Sequence, residues 1–232
     1  MKTKGLKSIQ SIFGLVALIA IPMAVCAESK ITTADGNGAD TMVRGGNHSA
    51  KNSGGAGVIV PKGGEPIAFH RKAIVRFDLS AVSPEGAAKL VLKVAVKNGA
   101  PKSDVPLEIY GVKDGVDLDE APEKGGWSEG TEKNQASTDP AAISWDAIES
   151  ALGMDLVNLS SGEKLVKLGN ATVPTGGDTL EFSSEKLTDW VKSDQNQLVT
   201  LIISASSNAG VSFMTKEWNV DVAPALLLSS AN

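Results

Sequence analysis

Cysteine is almost missing from this chain of 232 residues: Cys26 is the only one. No disulfide framework can hold the fold, so stability has to come from a packed core. Histidine occurs twice, as His48 and His70, far apart and with no cysteine to complete a donor set, which argues against a transition-metal site. Tyrosine occurs once, at Tyr110, and aromatic residues make up 4% of the chain. Arginine occurs three times, as Arg44, Arg71 and Arg76, and every other basic residue is a lysine. Nucleophile elbows, phosphate loops and metalloprotease motifs are all lacking. No apolar run beyond the first 27 residues is long enough for a membrane span.

What is present begins with a leader. Lys2, Lys4 and Lys7 precede the apolar run SIFGLVALIA, and Val25 and Ala27 take the −3 and −1 positions of a small-residue cleavage site. That order predicts a secretory signal peptide over residues 1–27, cut after Ala27, and a secreted or periplasmic protein. The alternative is a lipoprotein anchored through Cys26, but Val25 stands where that processing wants Gly, Ala or Ser. Removing 27 of the 232 residues leaves 205, read as a single domain over 28–232.

Loss of the leader lysines takes the net charge from −5 to −8, and the remaining charge is unevenly spread. Residues 28–80 hold seven basic and five acidic side chains, residues 81–160 seven and fourteen. All three arginines fall in the first of these segments. Lysine serves solubility equally well, whereas the planar fork of arginine suits two-pronged recognition of a carboxylate.

Alternating runs recur between turn signals. In KLVLKVAVK, Leu90, Leu92, Val94 and Val96 share one face and Lys89, Lys93 and Lys97 the other, the period of a half-buried strand. GVIVP, PLEIYGV, TLEFSS, QLVTLIIS, GVSFMT and PALLLSS read in the same way, separated by stretches rich in Gly, Pro, Asn and Ser. Short helices are predicted in SSEKLTDWVKS, capped at Ser183 or Ser184, and in DPAAISWDAIESALG, although Ile143 to Trp145 also suits a strand. Residues 113–139 read as a long acidic loop. The pattern is that of an all-β, antiparallel sandwich or barrel.

Four segments in order carry a family likeness: ADTMVRGGNHSAKNSGG, RKAIVRFDLS, GGWSEG…ISWD and NAGVSFMTKE…APALLL. Together they resemble the DNRLRE-type β-sandwich domains, which include carbohydrate-binding module family 96. The resemblance implies a jelly-roll sandwich whose basic groove meets the carboxylates of alginate or related acidic polysaccharides, often beside polysaccharide-degrading enzymes. By position it assigns ligand binding to Arg44, Arg71, Lys72, Arg76 and Lys216, with Asn52 in the turn after the first motif.

Strand parity offers a separate check. Asp40, Met42 and Arg44 share a face, as do Lys72, Ile74 and Arg76, and Ser212, Met214 and Lys216. If these strands are neighbours, the basic residues converge on one patch; the competing reading is local ion pairs such as Arg76 with Asp78 or Asp40. Trp145 and Trp190 read as core, whereas Trp218 and then Trp127 suit stacking on a sugar face. The acidic runs ADGNGAD and DGVDLDE, with Asp35, Asn37 and Asp40, and Asp117, Asp119 and Glu120, read as solvated turns rather than calcium sites. No metal or other cofactor is expected.

The sequence therefore predicts a secreted, non-catalytic module that binds an acidic, alginate-like polyuronate, with neither nucleic acid nor membrane span. The alternatives are a structural or adhesive surface protein, and a small lyase or hydrolase, the lyase built on Tyr110 with His48 or His70 and an arginine.

Overall fold

The computed structural model describes residues 28–96, 100–120, 122, 126–130 and 142–230. The predicted signal peptide and much of the central loop lie outside the described residues. Among the described residues eleven strands form: β1 (Glu28–Thr32), β2 (Ala39–Arg44), β3 (Val58–Ile59), β4 (Arg71–Asp78), β5 (Ala88–Lys93), β6 (Val105–Val112), β7 (Leu165–Val173), β8 (Thr179–Ser183), β9 (Leu198–Ala205), β10 (Phe213–Met214) and β11 (Ala225–Ser229). Among the same residues two α-helices join them, α1 (Trp145–Leu152) and α2 (Glu185–Ser193), beside short 3-10 turns.

The strands form a four-stranded sheet in the order β1-β11-β5-β8, a five-stranded sheet in the order β2-β4-β9-β6-β7, and a small β10-β3 pair. Every strand pairing is antiparallel. With β2, β3 and β10 set aside, the other eight strands run first-eighth-third-sixth in one sheet and second-seventh-fourth-fifth in the other. That is the jelly-roll order, two Greek keys folded over one core. Strand β2 extends the second sheet beyond β4.

Between the sheets lie the residues that alternation marks as inward, among them Ala73, Val75 and Phe77 of β4, Leu90 and Leu92 of β5, Leu107 and Ile109 of β6, and Leu226 of β11. Each buried aliphatic side chain of this size contributes about 1.5–3 kcal/mol. The alternation in KLVLKVAVK holds through Val94, but Val96 lies beyond β5 and is 50% exposed.

A second core covers the outer face of the five-stranded sheet. Val43, Ile74, Tyr110 and Ile202 on the sheet meet Trp127, Ile143, Trp145 and Ile148 from the central insertion and α1. Ser144 caps α1 by accepting from the Ala147 N–H at 3.2 Å, and Gly153 ends the helix with φ +69°. Between them, Trp145, Ile148 and Leu152 turn one stripe towards the sheet. Buried on both faces, β4 and β9 lose the polar side that a half-exposed strand would keep.

Two strands escaped the sequence reading. β1 is largely exposed along its length, and β7 carries Gly169 and Asn170 in mid-strand, residues depleted from strands. The cap of α2 is Ser184, whose Oγ accepts from the Leu187 N–H at 3.0 Å.

Candidate functional site

The residues assigned to one groove divide into three places. Register is the reason. β2 and β4 are neighbours, but Arg44 pairs with Arg71 and Val43 with Lys72, so Lys72 and Arg76 occupy the opposite face of the sheet from Arg44 and Met42.

Arg76 and Lys72 lie inside, each 2% exposed, because the second layer covers their face. Arg76 donates from Nε to the Asn37 carbonyl at 2.8 Å and from Nη1 to the carbonyls of Trp127 at 3.0 Å and Glu120 at 3.2 Å. Lys72 donates to Ser204 Oγ at 2.6 Å, and burial pushes its ammonium down to about 8. Neither side chain faces solvent, so the expectation of a ligand groove at this pair gives way to an internal arginine clasp and a buried lysine. Trp127, the weaker stacking candidate, is 6% exposed and donates its indole N–H to the Leu118 carbonyl at 2.9 Å.

Asn52 and Lys216 meet at Glu129. The Asn52 amide donates to the Glu129 carbonyl at 2.5 Å, and Lys216 Nζ lies 3.0 Å from Glu129 Oε1. Lys216 also donates to the carbonyls of Gly38 at 3.1 Å and Thr33 at 3.3 Å. Asp40, expected in a solvated turn, is wholly buried beside them, accepting from Thr33 Oγ1 and, at 3.3 Å, from the Lys216 N–H. Burial raises its carboxyl, and the Glu129 charge adds to the rise. These contacts tie the start of β2, the loop before β3, the central insertion and the turn after β10 into one polar knot.

Arg44 and Arg71 form the third place, at the end of β2 and β4. They are direct cross-strand partners, and both are half-buried. Arg44 Nε donates to the Ala68 carbonyl at 2.8 Å, whereas Arg71 Nε is buried without a hydrogen-bond partner. The Val-Arg-Gly-Gly sequence builds this corner. Gly46 takes φ +63°, and a Cβ there would sit 2.9 Å from the Ala68 Cα, so only glycine lets the turn after Arg44 lie against residues 67–69. His48 follows in that turn and Lys51 just beyond it.

The corner is electrostatically one-sided. Among the described residues, the ion pairs are Lys89–Glu181, Lys167–Glu108 and Lys216–Glu129, and no carboxylate lies within 4.0 Å of Arg44, Arg71 or Lys51. Burial lowers the Arg71 guanidinium, and the Arg44 charge lowers it further. His48 is lowered by desolvation and then by Arg44, Lys51 and Arg71, and its Nδ1 is buried without a partner. Beside the corner, Lys62 Nζ lies 5.3 Å from the centre of the Phe69 ring, and Ile67 and Phe69 are 44% and 42% exposed. Both arginines were legible in the sequence, but His48 was weighed only as a metal ligand or lyase partner and Lys51 not at all; their place in RGGNHSAK, four and seven residues after Arg44, was the signal on offer.

Trp218 is 45% exposed, and its ring lies against Gly57, where a Cβ would stand 3.2 Å from Trp218 Cε3. With Met42, Gly55 and Glu217 it lines a shallow cavity of about 510 Å³. Met42 precedes Arg44 by two residues on the same strand face, a separation of about 7 Å, so aromatic surface and arginine pair lie along one edge.

Other polar groups are already engaged. Tyr110 donates to Glu108 Oε2 at 3.0 Å, and burial, reinforced by Glu108, raises its phenol strongly. Asp114, Asp119 and Asp194 bring carboxylate oxygens within 4.8 Å of one another, an all-oxygen set of the kind calcium takes. Asp119, expected in a solvated turn, is 1% exposed, and its two oxygens accept from the Thr200 N–H at 2.9 Å and the Asn196 amide at 3.2 Å. No family model matches the chain, and no curated protein matches it.

Proposed function

We propose that the protein is a secreted, non-catalytic module that binds an acidic polysaccharide of alginate-like, polyuronate type, and that Arg44 and Arg71 receive its carboxylates. The observation that carries this reading is the arginine pair itself: two half-buried cations side by side, no carboxylate within 4.0 Å among the described residues, and a buried Nε with no partner. Buried polar groups are ordinarily hydrogen-bonded, and like charges held together cost energy, so the pair is relieved by an anion. Trp218 supplies a flat apolar surface along the same edge for a sugar ring.

The energetics suit a module that works in several contacts at once. An exposed ion pair contributes about 0.2–1 kcal/mol, whereas a charge-assisted hydrogen bond in a sheltered corner contributes about 1.5–3 kcal/mol. Two arginines making forked bonds, with Lys51 beside them, give roughly micromolar binding after association costs. The net charge, −5 for the full chain and −8 without the leader lysines, repels an acidic polymer at long range, so binding depends on the local corner and weakens as salt screens it. The strong hydrogen bond from Tyr110 to Glu108, on a phenol that resists ionisation, disfavours the lyase alternative, since a proton-abstracting tyrosine must lose its proton readily. Work beside polysaccharide-degrading enzymes follows from the same reading.

Calorimetry of the purified protein with alginate oligosaccharides, at low and moderate salt, tests it. Salt-sensitive binding that drops tenfold or more in both Arg44→Ala and Arg71→Ala, with folding intact, is the expected result. Binding unaffected by both substitutions, or no heat with any acidic glycan, would move the adhesive surface-protein reading into first place.

A further inference from the structure

His48 stands in an unusual setting for a histidine. Arg44, the cross-strand partner of Arg71, stands four residues before His48 and Lys51 three residues after it; the charges of all three act on the ring, whose Nδ1 is buried without a partner. The residues 67–69 packed against the turn after Arg44 are apolar, and the Ala68 carbonyl is already taken by Arg44. The carboxylate that reaches this segment from α1, Asp146, is held by Ser49 Oγ at 3.1 Å. In the free protein, then, the imidazole is pressed towards its neutral form by desolvation and by its neighbours' charges. An anion seated on the two arginines reverses that field, because it offsets the cations and offers the imidazolium an acceptor.

We infer that His48 is a further ligand-binding residue of the arginine corner, one that takes up a proton as the anion docks, so that the protein holds acidic polymers more tightly in acid than in alkali. The inference rests on the proposed binding role of Arg44 and Arg71. The imidazole gains one proton from solvent, no covalent bond is made, and the anion stays ionised because unperturbed carboxyls titrate at about 3.3–4.3. Linkage then requires Kd to fall as pH falls, with a slope of up to about tenfold per pH unit between the free and bound midpoints of His48.

Two measurements test this. Calorimetry with alginate oligosaccharides in Bis-Tris and in cacodylate, whose ionisation heats differ, should show proton uptake by the wild type near neutral pH. In His48→Gln the uptake should vanish and the affinity in acid should fall to the level the wild type shows in alkali. A second arm follows the imidazole signals of His48 and His70 by NMR as pH is varied, with and without sodium sulfate or acetate. The anion should move the His48 midpoint upward and leave that of His70 in place. Oligosaccharide binding that depends on Arg44 and Arg71 but takes up no proton, or takes it up equally in His48→Gln, overturns the inference while the binding role stands. A His48 midpoint raised by sulfate or acetate without any oligosaccharide binding supports the proton-linked corner and removes the polyuronate. A midpoint indifferent to both anions overturns it outright.

Discussion

The guanidinium of Arg76 lies 4.5 Å from the centre of the Trp127 ring and donates at 3.0 Å to the carbonyl of that same residue. One arginine on β4 thereby holds a residue 51 positions further along the chain, and with it the inner end of the central insertion. The planar fork also reaches the carbonyls of Asn37 and Glu120, so both Nε and Nη1 donate inside the protein.

Replacing Arg76 should therefore unfold rather than disarm. In Arg76→Lys a single ammonium cannot reach all three carbonyls, and each buried acceptor left unpaired costs about 1–3 kcal/mol. A loss of about 2–4 kcal/mol is expected from urea unfolding, with m unchanged. Under conditions where the variant remains folded, its affinity for acidic oligosaccharides should match the wild type. A large loss of affinity with little loss of stability would return Arg76 to the ligand.

Lys72 should behave in the opposite sense. Burial lowers its folded value to about 8 from the ordinary 10.5, so between these values the unfolded chain binds more protons than the folded one. Stability contributed through this group consequently rises with pH across that window, and below about 8 the cost of burying the charged ammonium is present in full. Lys72→Met should be more stable than the wild type at pH near 7, by about 1–2 kcal/mol, because a well-packed apolar replacement removes a buried charge. The advantage should shrink in denaturation curves recorded near pH 10. A variant that is less stable at both pH values would show that the bond to Ser204 outweighs the desolvation.

The carboxylates at the foot of β6 make the third case. Burial and then the Asp114 charge push Asp194 up to about 7, and burial pushes Asp119 up to about 8. For carboxyls raised by folding, the stabilising contribution is complete below the ordinary carboxylate range and is lost as pH rises through 7 and 8. The melting temperature should thus fall from pH 5 to pH 8. Asp114→Asn keeps an acceptor for the Gln195 N–H and removes one charge, so it should raise Tm at pH 8 and change it little at pH 5. Equal effects at both pH values would place the role of Asp114 in its hydrogen bond instead.

The sequence by itself determined the fold class, most strand positions and the confinement of arginine to one segment. Those properties are local: a period of two residues marks a strand, Gly and Pro mark its ends, and Ser184 announces α2 by the bond its own side chain makes three residues on. Strand parity was equally legible, since Lys72, Ile74 and Arg76 do share a face, and so do Met42 and Arg44. Which face meets what is another matter. It depends on the pairing of Arg44 with Arg71 and of Val43 with Lys72, and a one-residue slip would have exchanged the two sets. It depends also on Trp127 of the central insertion and Trp145 and Ile148 of α1 covering one side of β4. The tertiary structure alone decided that Arg76 closes the interior and Arg44 and Arg71 remain without a carboxylate partner among the described residues, because desolvation and charge pairing are set by groups far away in the chain, whereas alternation is set by the next residue.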